Sequence, residues 1–248
     1  MTQISVQAKV SSTILITTAN KPPDGIPYLQ MTNVATRYIT AKASVFLWAA
    51  YGIEKIVIAD ATGGSLLDEK EINLLKQMRV GVEQISYRQD DELIKLKGKG
   101  YGEGELIKFA LNNSVFLKNQ NNFFKCTGKV FCRNFDQVLK LITKNNIQNI
   151  FWRHLGEGNL LKPWADLRFF YTTREFCEDS VIPAYLKSDD TKMAAEYLCF
   201  NILREKLTAA KTLRPLLSGF SGGTGKQYSD LSFGALDSHC PCWLGADE

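Results

Sequence analysis

The stretch TILITTA at Thr13–Ala19 decides the fold that the sequence predicts. It is a short run of β-branched and apolar residues, which is typical of a strand buried on both faces. KIVIA at 55–59 and VEQISY at 82–87 read as strands for the same reason. Helical spacing of apolar residues over 32–51 and 67–78 places a helix between successive strands. Strands that alternate with helices predict an α/β fold with a largely parallel sheet.

The alternation continues along the rest of the chain. The further predicted elements are the helix ELIKFALNNS (105–114), the strand-like FFKCTGKVFC (123–132), the helix FDQVLKLITK (135–144), the strand NIFWRH (149–154) and the long final helix TKMAAEYLCFNILREKL (191–207). From Ser218 the chain becomes rich in glycine and serine, which indicates a linker or a loosely held tail. We therefore predict one domain over 1–217, ending in a helical extension, and a tail over 218–248.

Composition restricts the class of protein. The chain has 248 residues, 45% of them hydrophobic and 23% charged, as in an ordinary soluble globular protein. Its formal charge of +4 favours an anionic ligand weakly and argues against a nucleic-acid-binding protein. No apolar run is long enough for a membrane span or a signal peptide, so we expect a cytoplasmic protein. The six scattered cysteines indicate reduced thiols.

The segment KGKGYGEGELI at 97–107 carries a glycine at every second position immediately before a predicted helix. A dinucleotide fingerprint would follow the first strand with G-x-G-x-x-G spacing, whereas this segment follows the third strand with a different spacing. A second explanation is an anion site, in which Lys97, Lys99 and Gly100 stand beside unpaired amides at a helix start. A lysine-solvated turn accounts for the same residues equally well.

Two C-terminal motifs resemble known sites without matching them. GGTGKQ at 222–227 imitates a phosphate-binding loop, but Phe220 stands where the first glycine belongs and Gln227 replaces the magnesium-binding hydroxyl. His239, Cys240 and Cys242 offer three zinc ligands at a spacing that fits no standard zinc finger. A loosely held tail is the favoured interpretation of both motifs, and we predict no metal site there.

Three loops are predicted to meet at one edge of the sheet. Each of these loops comes after one of the first three predicted strands: TTANKPPDG at 17–25 after the first, DATGG at 60–64 after the second, and KGKGYGEG at 97–104 after the third. In open α/β sheets, ligands bind beyond the carboxyl ends of the strands. The segment FFKCTGKVFCRN brings Lys125 and Lys129 to the same edge. The sequence therefore predicts a ligand site at this edge.

Four segments, ILITTA, KIVIADATGG, KGKGYGEGELIKFALNNS and FFKCTGKVFCRN, occur in an order that resembles bacterial glycosyltransferases of capsule and O-antigen gene clusters, and the similarity covers roughly Thr13 to Leu207. The resemblance implies a GT-A-like fold, a nucleotide-sugar donor (UDP-linked) and a lipid-linked saccharide acceptor. It also implies loose attachment to the inner face of the membrane, for which a basic C-terminal helix with Arg204, Lys206, Lys211 and Arg214 is a candidate. A sugar nucleotidyltransferase and a non-catalytic nucleotide-binding protein are the alternatives.

The resemblance also implies a donor site. Its residues are Thr17, Thr18, Asp60, Lys97, Lys99, Gly100, Thr127, Gly128 and Lys129. Metal-dependent GT-A enzymes carry a D-x-D pair after the fourth strand, where carboxylates hold Mg²⁺ or Mn²⁺. This chain has Thr127-Gly128-Lys129 there, and a lysine can itself offset charge on a leaving diphosphate. A metal-independent enzyme without a cofactor, or one whose metal is held elsewhere, is therefore expected; a solvated Lys129 at a strand end is the alternative.

The segment WADLRFF at 164–170 corresponds to the acceptor side in this resemblance. Asp166 is our first candidate for the general base that takes the acceptor proton, with Arg168 pairing to keep it ionised. Trp164 is a candidate for stacking on a sugar, although aromatic residues there are also suited to the core. Glu196 is the second candidate base, with a solvated glutamate in the middle of a helix as the alternative.

Overall fold

A computed structural model of the protein describes residues 12–155, 162–222, 225–228 and 239–246. The strands are β1 (Thr13–Thr18), β2 (Lys55–Asp60), β3 (Gly81–Ser86), β4 (Asn122–Thr127), β5 (Val130–Cys132), β6 (Ile147–His154), β7 (Trp164–Thr173), β8 (Thr208–Leu213), β9 (Leu217–Phe220), β10 (Gln227–Tyr228) and β11 (His239–Ala246). The α-helices are α1 (Val34–Ala50), α2 (Glu69–Gln77), α3 (Asp91–Lys97), α4 (Lys99–Asn113), α5 (Val115–Lys118), α6 (Phe135–Lys144), α7 (Arg174–Phe176), α8 (Ile182–Lys187) and α9 (Ala195–Lys206). One π-helical turn, Cys177–Val181, joins α7 to α8.

The central sheet has eight strands in the order β3-β2-β1-β4-β7-β6-β11-β8 within the described chain. The first four are mutually parallel, and β7 and β11 run against their neighbours, so six of the eight strands share one direction. A small second sheet pairs β5 with β9 and β9 with β10. The α/β prediction with a mostly parallel sheet flanked by helices is confirmed.

Helices cover both faces of the sheet and create two apolar cores. Alternate residues of β1 divide between them: Ile14 and Ile16 face the core that includes α1 and α6, and Leu15 faces the core that includes α4, α8 and α9. All six residues of β1 are buried. A parallel strand covered on both faces must be apolar throughout, which explains why TILITTA shows no polar alternation.

The described part of residues 218–248 is not a loose tail, which differs from the sequence-based expectation. β9 pairs with β5 next to the cavity described below, and β11 inserts between β6 and β8 in the main sheet. Cys242 and Trp243 are 0% exposed and face opposite cores. Pro241 lacks an N–H, and it pairs with Lys211 of β8 just before the pairing with β6 begins.

The expected basic C-terminal helix is also not formed. α9 ends at Lys206, Lys211 lies in β8 and Arg214 follows that strand. The Lys206 ammonium donates a hydrogen bond to the Ser180 hydroxyl at 2.8 Å. The four cations therefore do not share one helical face. No helix among the described residues has the length and apolar character needed to cross a membrane.

Three of the four glycines of the 97–107 segment, Gly100, Gly102 and Gly104, lie inside helix α4 and not in a loop before it. Gly98 ends α3 with a φ of 93°, and α4 already begins at Lys99. A Cβ at Gly104 would overlap the Cβ of Tyr185 in α8, and one at Gly102 would lie 2.9 Å from Ile94 Cδ1. The alternating glycines thus let α4 pack closely against α3 and α8, a role that requires no ligand.

Replacing Gly104 with alanine should destabilise the protein by about 1–3 kcal/mol, the usual cost of overpacking. The effect is diagnostic because alanine is intrinsically the better helix former by about 1 kcal/mol. Asn112→Ala, at an exposed position of the same helix, is the matched control and should change stability by no more than about 0.5 kcal/mol. Denaturant unfolding measures both variants, and a Gly104→Ala protein as stable as the control would contradict the close packing.

Candidate functional site

A cavity of about 330 Å³ lies where the carboxyl ends of β1 and β4 meet. Six residues of the predicted donor site line it, namely Thr17, Thr18, Lys99, Gly100, Thr127 and Lys129. Arg168 and Glu196, predicted for the acceptor side and for catalysis, line the same cavity. The structure thus brings together most of the residues that the sequence selected.

The other three residues of the predicted donor site, Asp60, Lys97 and Gly128, do not line this cavity. Asp60 is 1% exposed, and its carboxylate accepts hydrogen bonds from the Thr18 hydroxyl at 2.9 Å and from the amides of Asn20 and Thr62 at 3.0 and 2.8 Å. It therefore ties the loop after β1 to the loop after β2. Lys97 ends α3, and its carbonyl accepts from the Asp190 amide at 2.9 Å.

The start of α4 is already occupied by a carboxylate of the protein. Asp190 Oδ2 accepts from the Lys99 amide at 2.9 Å and, at the longer distance of 3.5 Å, from the Gly100 amide. An anion site built on these amides, as the sequence suggested, would have to displace Asp190. The Lys99 ammonium instead lies 6.0 Å from the Tyr28 ring centre, within cation–π range.

The turn between β4 and β5 presents Lys129 to the cavity in an uncommon backbone conformation. Lys129 has a φ of 71°, in the left-handed region that non-glycine residues seldom adopt. The preceding Gly128 donates its amide to Thr17 O at 2.7 Å, and a Cβ there would lie 2.8 Å from the same oxygen. Ser44 and Trp48 of α1 both donate to Val130 O, at 2.6 and 3.0 Å. The turn is thus fixed from both sides.

Lys129 and Arg37 place two buried cations in one cavity. Each is 4% exposed, and neither forms an ion pair with a carboxylate of the described residues. Arg37 donates to Ala19 O at 2.6 Å and to Met31 O at 2.7 Å, which ties down both ends of the loop after β1. Burial, reinforced by the charge of Arg37, lowers the pKa of Lys129 to about 7. A bound anion would oppose both effects, because its negative charge favours the charged form of Lys129.

The floor of the cavity contains a buried ion pair between Glu103 of α4 and Lys125 of β4. The Lys125 ammonium is 0% exposed and donates to Glu103 Oε1 at 2.6 Å, to Thr127 Oγ1 at 2.9 Å and to Leu167 O at 2.8 Å. Burial opposes ionisation of Glu103, but the Lys125 charge and the hydrogen bonds from Lys125, Thr17 and Thr127 outweigh it and lower the pKa of Glu103. The Glu103 carboxylate is therefore ionised at neutral pH.

Asp166 lies beside the cavity in a closed ion pair. Its carboxylate accepts from Arg168 Nε at 2.8 Å and from Arg168 Nη2 at 2.5 Å, and His154 Nε2 lies 3.4 Å away. Burial opposes ionisation, but the charges and hydrogen bonds of Arg168 and His154 hold the pKa of Asp166 well below its usual range. A carboxylate so stabilised is a weak base, and this geometry favours a role in orienting Arg168. Trp164 stacks on His154 at 4.0 Å, so one face of its indole is already covered.

Glu196 fits the requirements of a proton acceptor better. It lies in the first turn of α9 rather than in the middle of a helix, and it lines the cavity. Burial raises the pKa of Glu196, and the nearby carboxylates of Glu103 and Asp190 add to that shift. A carboxyl group with a raised pKa takes up and releases protons near neutral pH more readily than a deeply stabilised one.

Several cavity residues were missed by the sequence analysis. Arg37 falls on the buried stripe of α1 together with Ala41, Val45 and Trp48, and an arginine on an apolar helix face is an unusual signal that could have been used. The apolar wall comes from the loop between β1 and α1 and from two helices, through Pro22, Pro23, Ile26, Leu29, Ile94 and Leu106. The proline-rich sequence of the loop between β1 and α1 indicated only that this loop has no regular structure.

Within the described residues, no group of three or more histidine, cysteine, aspartate and glutamate side chains is arranged to hold a metal ion. Cys240 and Cys242 are buried thiols of β11. Burial raises the pKa of Cys242 to about 12 and that of Cys240 to about 11. Such thiols pack as small apolar side chains.

Comparisons with known proteins add little. No protein-family model and no curated protein sequence matches this chain. Among solved structures, the chain is similar to the mannose-1-phosphate geranyltransferase from Thermus thermophilus, with 7% identity and a TM-score of 0.31 over 77% of this chain and 68% of that one. A likeness at that level carries no argument about function.

Proposed function

We propose that the cavity binds a nucleoside diphosphate sugar and that the protein transfers the sugar to a hydroxyl group of an acceptor. The observation that carries the proposal is the convergence of Arg37, Lys99, Lys129 and Arg168 on one cavity at the carboxyl edge of the sheet. These cations come from four separate segments of the chain. Cations directed into a partly apolar cavity suit a ligand that combines a diphosphate with a flat base.

Each part of such a ligand has a matching wall. The apolar residues of the loop after β1, including Pro22, Ile26 and Leu29, offer a surface for the base. Lys129 and Arg37, which form no ion pair with a carboxylate of the described chain, suit the diphosphate. Arg168 and Glu196 also line the cavity, and we assign them to the sugar and the acceptor.

The proposed reaction forms one C–O bond and breaks another. The acceptor oxygen attacks the anomeric carbon and passes its proton to Glu196, while the bond from that carbon to the diphosphate oxygen breaks. The nucleoside diphosphate leaves with additional negative charge, which Lys129 and Arg168 offset. Asp166 has the role of a positioning residue that fixes the Arg168 guanidinium.

We also propose the chemical class of the acceptor. A growing surface polysaccharide of the O-antigen or capsule type, carried on a lipid, is the acceptor that the ordered motifs favour. Such an acceptor would bring the protein to the inner face of the membrane as a peripheral partner.

Turnover of nucleotide sugars tests the proposal. We expect slow release of nucleoside diphosphate from at least one sugar nucleotide in excess EDTA, because Lys129 stands where a metal-binding carboxylate would be. Loss of all activity in EDTA, restored by Mn²⁺, would contradict metal independence. Pyrophosphate formation from a nucleoside triphosphate and a sugar 1-phosphate would instead identify a nucleotidyltransferase, and binding without any turnover a non-catalytic protein.

A further inference from the structure

One oxygen of the Glu103 carboxylate is held by three donors. Glu103 Oε1 accepts from Lys125 Nζ at 2.6 Å, from Thr17 Oγ1 at 2.7 Å and from Thr127 Oγ1 at 3.2 Å. Thr17 and Thr127 are register partners on the paired strands β1 and β4. The three donors belong to two paired strands in the middle of the strand order, and together they fix the orientation of the carboxylate.

The second oxygen, Glu103 Oε2, accepts no hydrogen bond from any described residue. It is also absent from the buried polar atoms without a partner, and the side chain is 22% exposed on the cavity wall. Because all three donors converge on Oε1, Oε2 is the atom that Glu103 presents to the cavity.

The charge of Glu103 decides what this oxygen can bind. Lys125 neutralises the carboxylate, and its ammonium already makes three hydrogen bonds within the protein. An ionised carboxylate accepts hydrogen bonds and donates none, so a phosphate oxygen cannot be its partner. In a nucleoside diphosphate sugar, the diphosphate lies between the ribose and the transferred sugar. The hydroxyl groups of these two rings are therefore the hydrogen-bond donors nearest to it.

We propose that Glu103 Oε2 accepts a hydrogen bond from a hydroxyl group of the ligand and thereby selects a hydroxylated ligand over one that carries the diphosphate alone. This inference rests on the proposed function. The hydroxyl belongs either to the ribose or to the sugar that is transferred, and the two sources have the same chemistry at Oε2.

Ligand analogues on the wild-type protein provide the primary test, since they leave the fold unchanged. Calorimetric titrations compare UDP, 2′-deoxy-UDP, 3′-deoxy-UDP, UDP-glucose and its deoxy-sugar analogues, or the corresponding set for whichever base binds best. Removal of the partner hydroxyl should weaken binding about 10- to 100-fold, the range for a hydrogen bond to a charged group. A loss with a deoxyribose analogue assigns the ribose, and a loss with a deoxy-sugar analogue assigns the sugar.

A protein variant provides the second arm. Glu103→Gln can keep an oxygen toward the three donors while presenting an amide N–H₂, a donor, to the cavity. In this variant, removing the same hydroxyl should change the affinity less than about tenfold, and clearly less than in the wild type, because the hydroxyl oxygen can accept only a neutral hydrogen bond from the N–H₂ group. Glu105→Gln, on the same helix but outside the cavity lining, is the matched control and should retain the wild-type discrimination.

The outcomes separate the two proposals. If UDP and its relatives bind but every deoxy analogue binds as well as its parent, the role of Glu103 is overturned and the proposed function stands. If no nucleoside diphosphate or nucleotide sugar binds, both are overturned. A Glu103→Gln protein that still discriminates like the wild type would also overturn the inference.

Discussion

Replacing Lys125 with methionine should lower the free energy of unfolding by about 3–5 kcal/mol, the usual cost of breaking a buried ion pair by removing one partner. Lys125 is 0% exposed and supplies the only ammonium bonded to Glu103 in the described structure. Methionine fills a similar volume, so the loss comes from the carboxylate left without its counter-charge. Denaturant unfolding at pH 7 measures the change.

Two further variants make the Lys125 result specific. Lys108→Met places the same substitution at an exposed position of α4 and should alter stability by no more than about 0.5 kcal/mol. Adding Glu103→Gln to Lys125→Met removes the uncompensated charge and should recover a large part of the loss. Equal stability of Lys125→Met and Lys108→Met would contradict a charged pair at the cavity floor.

The pH dependence of stability carries the same information. The pKa of Glu103 is lower in the folded protein than its ordinary value of 4.5, so its ion pair contributes stability at pH values above about 4.5. That contribution should be lost as the pH falls from about 4.5 through the lowered folded-state pKa. In the Lys125→Met protein, the loss of stability that comes from protonating Glu103 should be absent.

Replacing Lys129 with methionine should weaken the binding of a nucleoside diphosphate by about 10- to 100-fold, as expected for losing a charge-assisted hydrogen bond. The reason is the position of its ammonium, which is buried in the cavity without a carboxylate partner among the described residues. Lys144→Met, an exposed lysine at the end of α6, is the matched control and should bind as the wild type does. Unchanged affinity in Lys129→Met would remove Lys129 from the binding site.

Lys129 should also make binding depend on pH. The free protein has a Lys129 pKa of about 7, and a bound diphosphate stabilises the charged form and raises that pKa. Below pH 7 the ammonium is already charged, whereas above it binding must take up a proton. Between pH 7 and 9, where the terminal phosphate is already ionised, affinity should therefore fall by up to about tenfold per pH unit. Lys129→Met should lack this decrease.

The strand and helix order could be predicted from the sequence because apolar periodicity is a local signal. The helix over the 97–107 segment could not be predicted in this way, because glycine has a low helix propensity and favours a loop. Only the close approach of Tyr185 and Ile94 explains the glycines. Tertiary packing there outweighs the intrinsic helix preference. The place of β11 was also beyond local reasoning, because its pairing with β6 and β8 joins segments distant in the chain.

The residues that line the cavity were predicted in part, and the misses follow a pattern. Lys129 was expected at the cavity because parallel strands end at one edge, and Thr17 and Thr127 were selected through the family resemblance; all three line the cavity. Arg37 was missed because it lies on a helix whose periodicity indicated only core packing. Lys125 lies in the middle of the buried strand FFKCT, and this was a usable signal because a buried charged residue needs a partner. The partner, Glu103, lies on a different element, so it could be identified only from the fold.

Calorimetric titration of the wild-type protein with UDP, GDP, CDP and ADP at pH 7 tests the central claim, that the cationic cavity binds a nucleoside diphosphate. We expect saturable binding of at least one of them, with a dissociation constant below about 1 mM and a matching rise in melting temperature, since a ligand that binds only the folded state stabilises it. The absence of both heat and thermal shift with all four nucleotides at millimolar concentration would contradict the account.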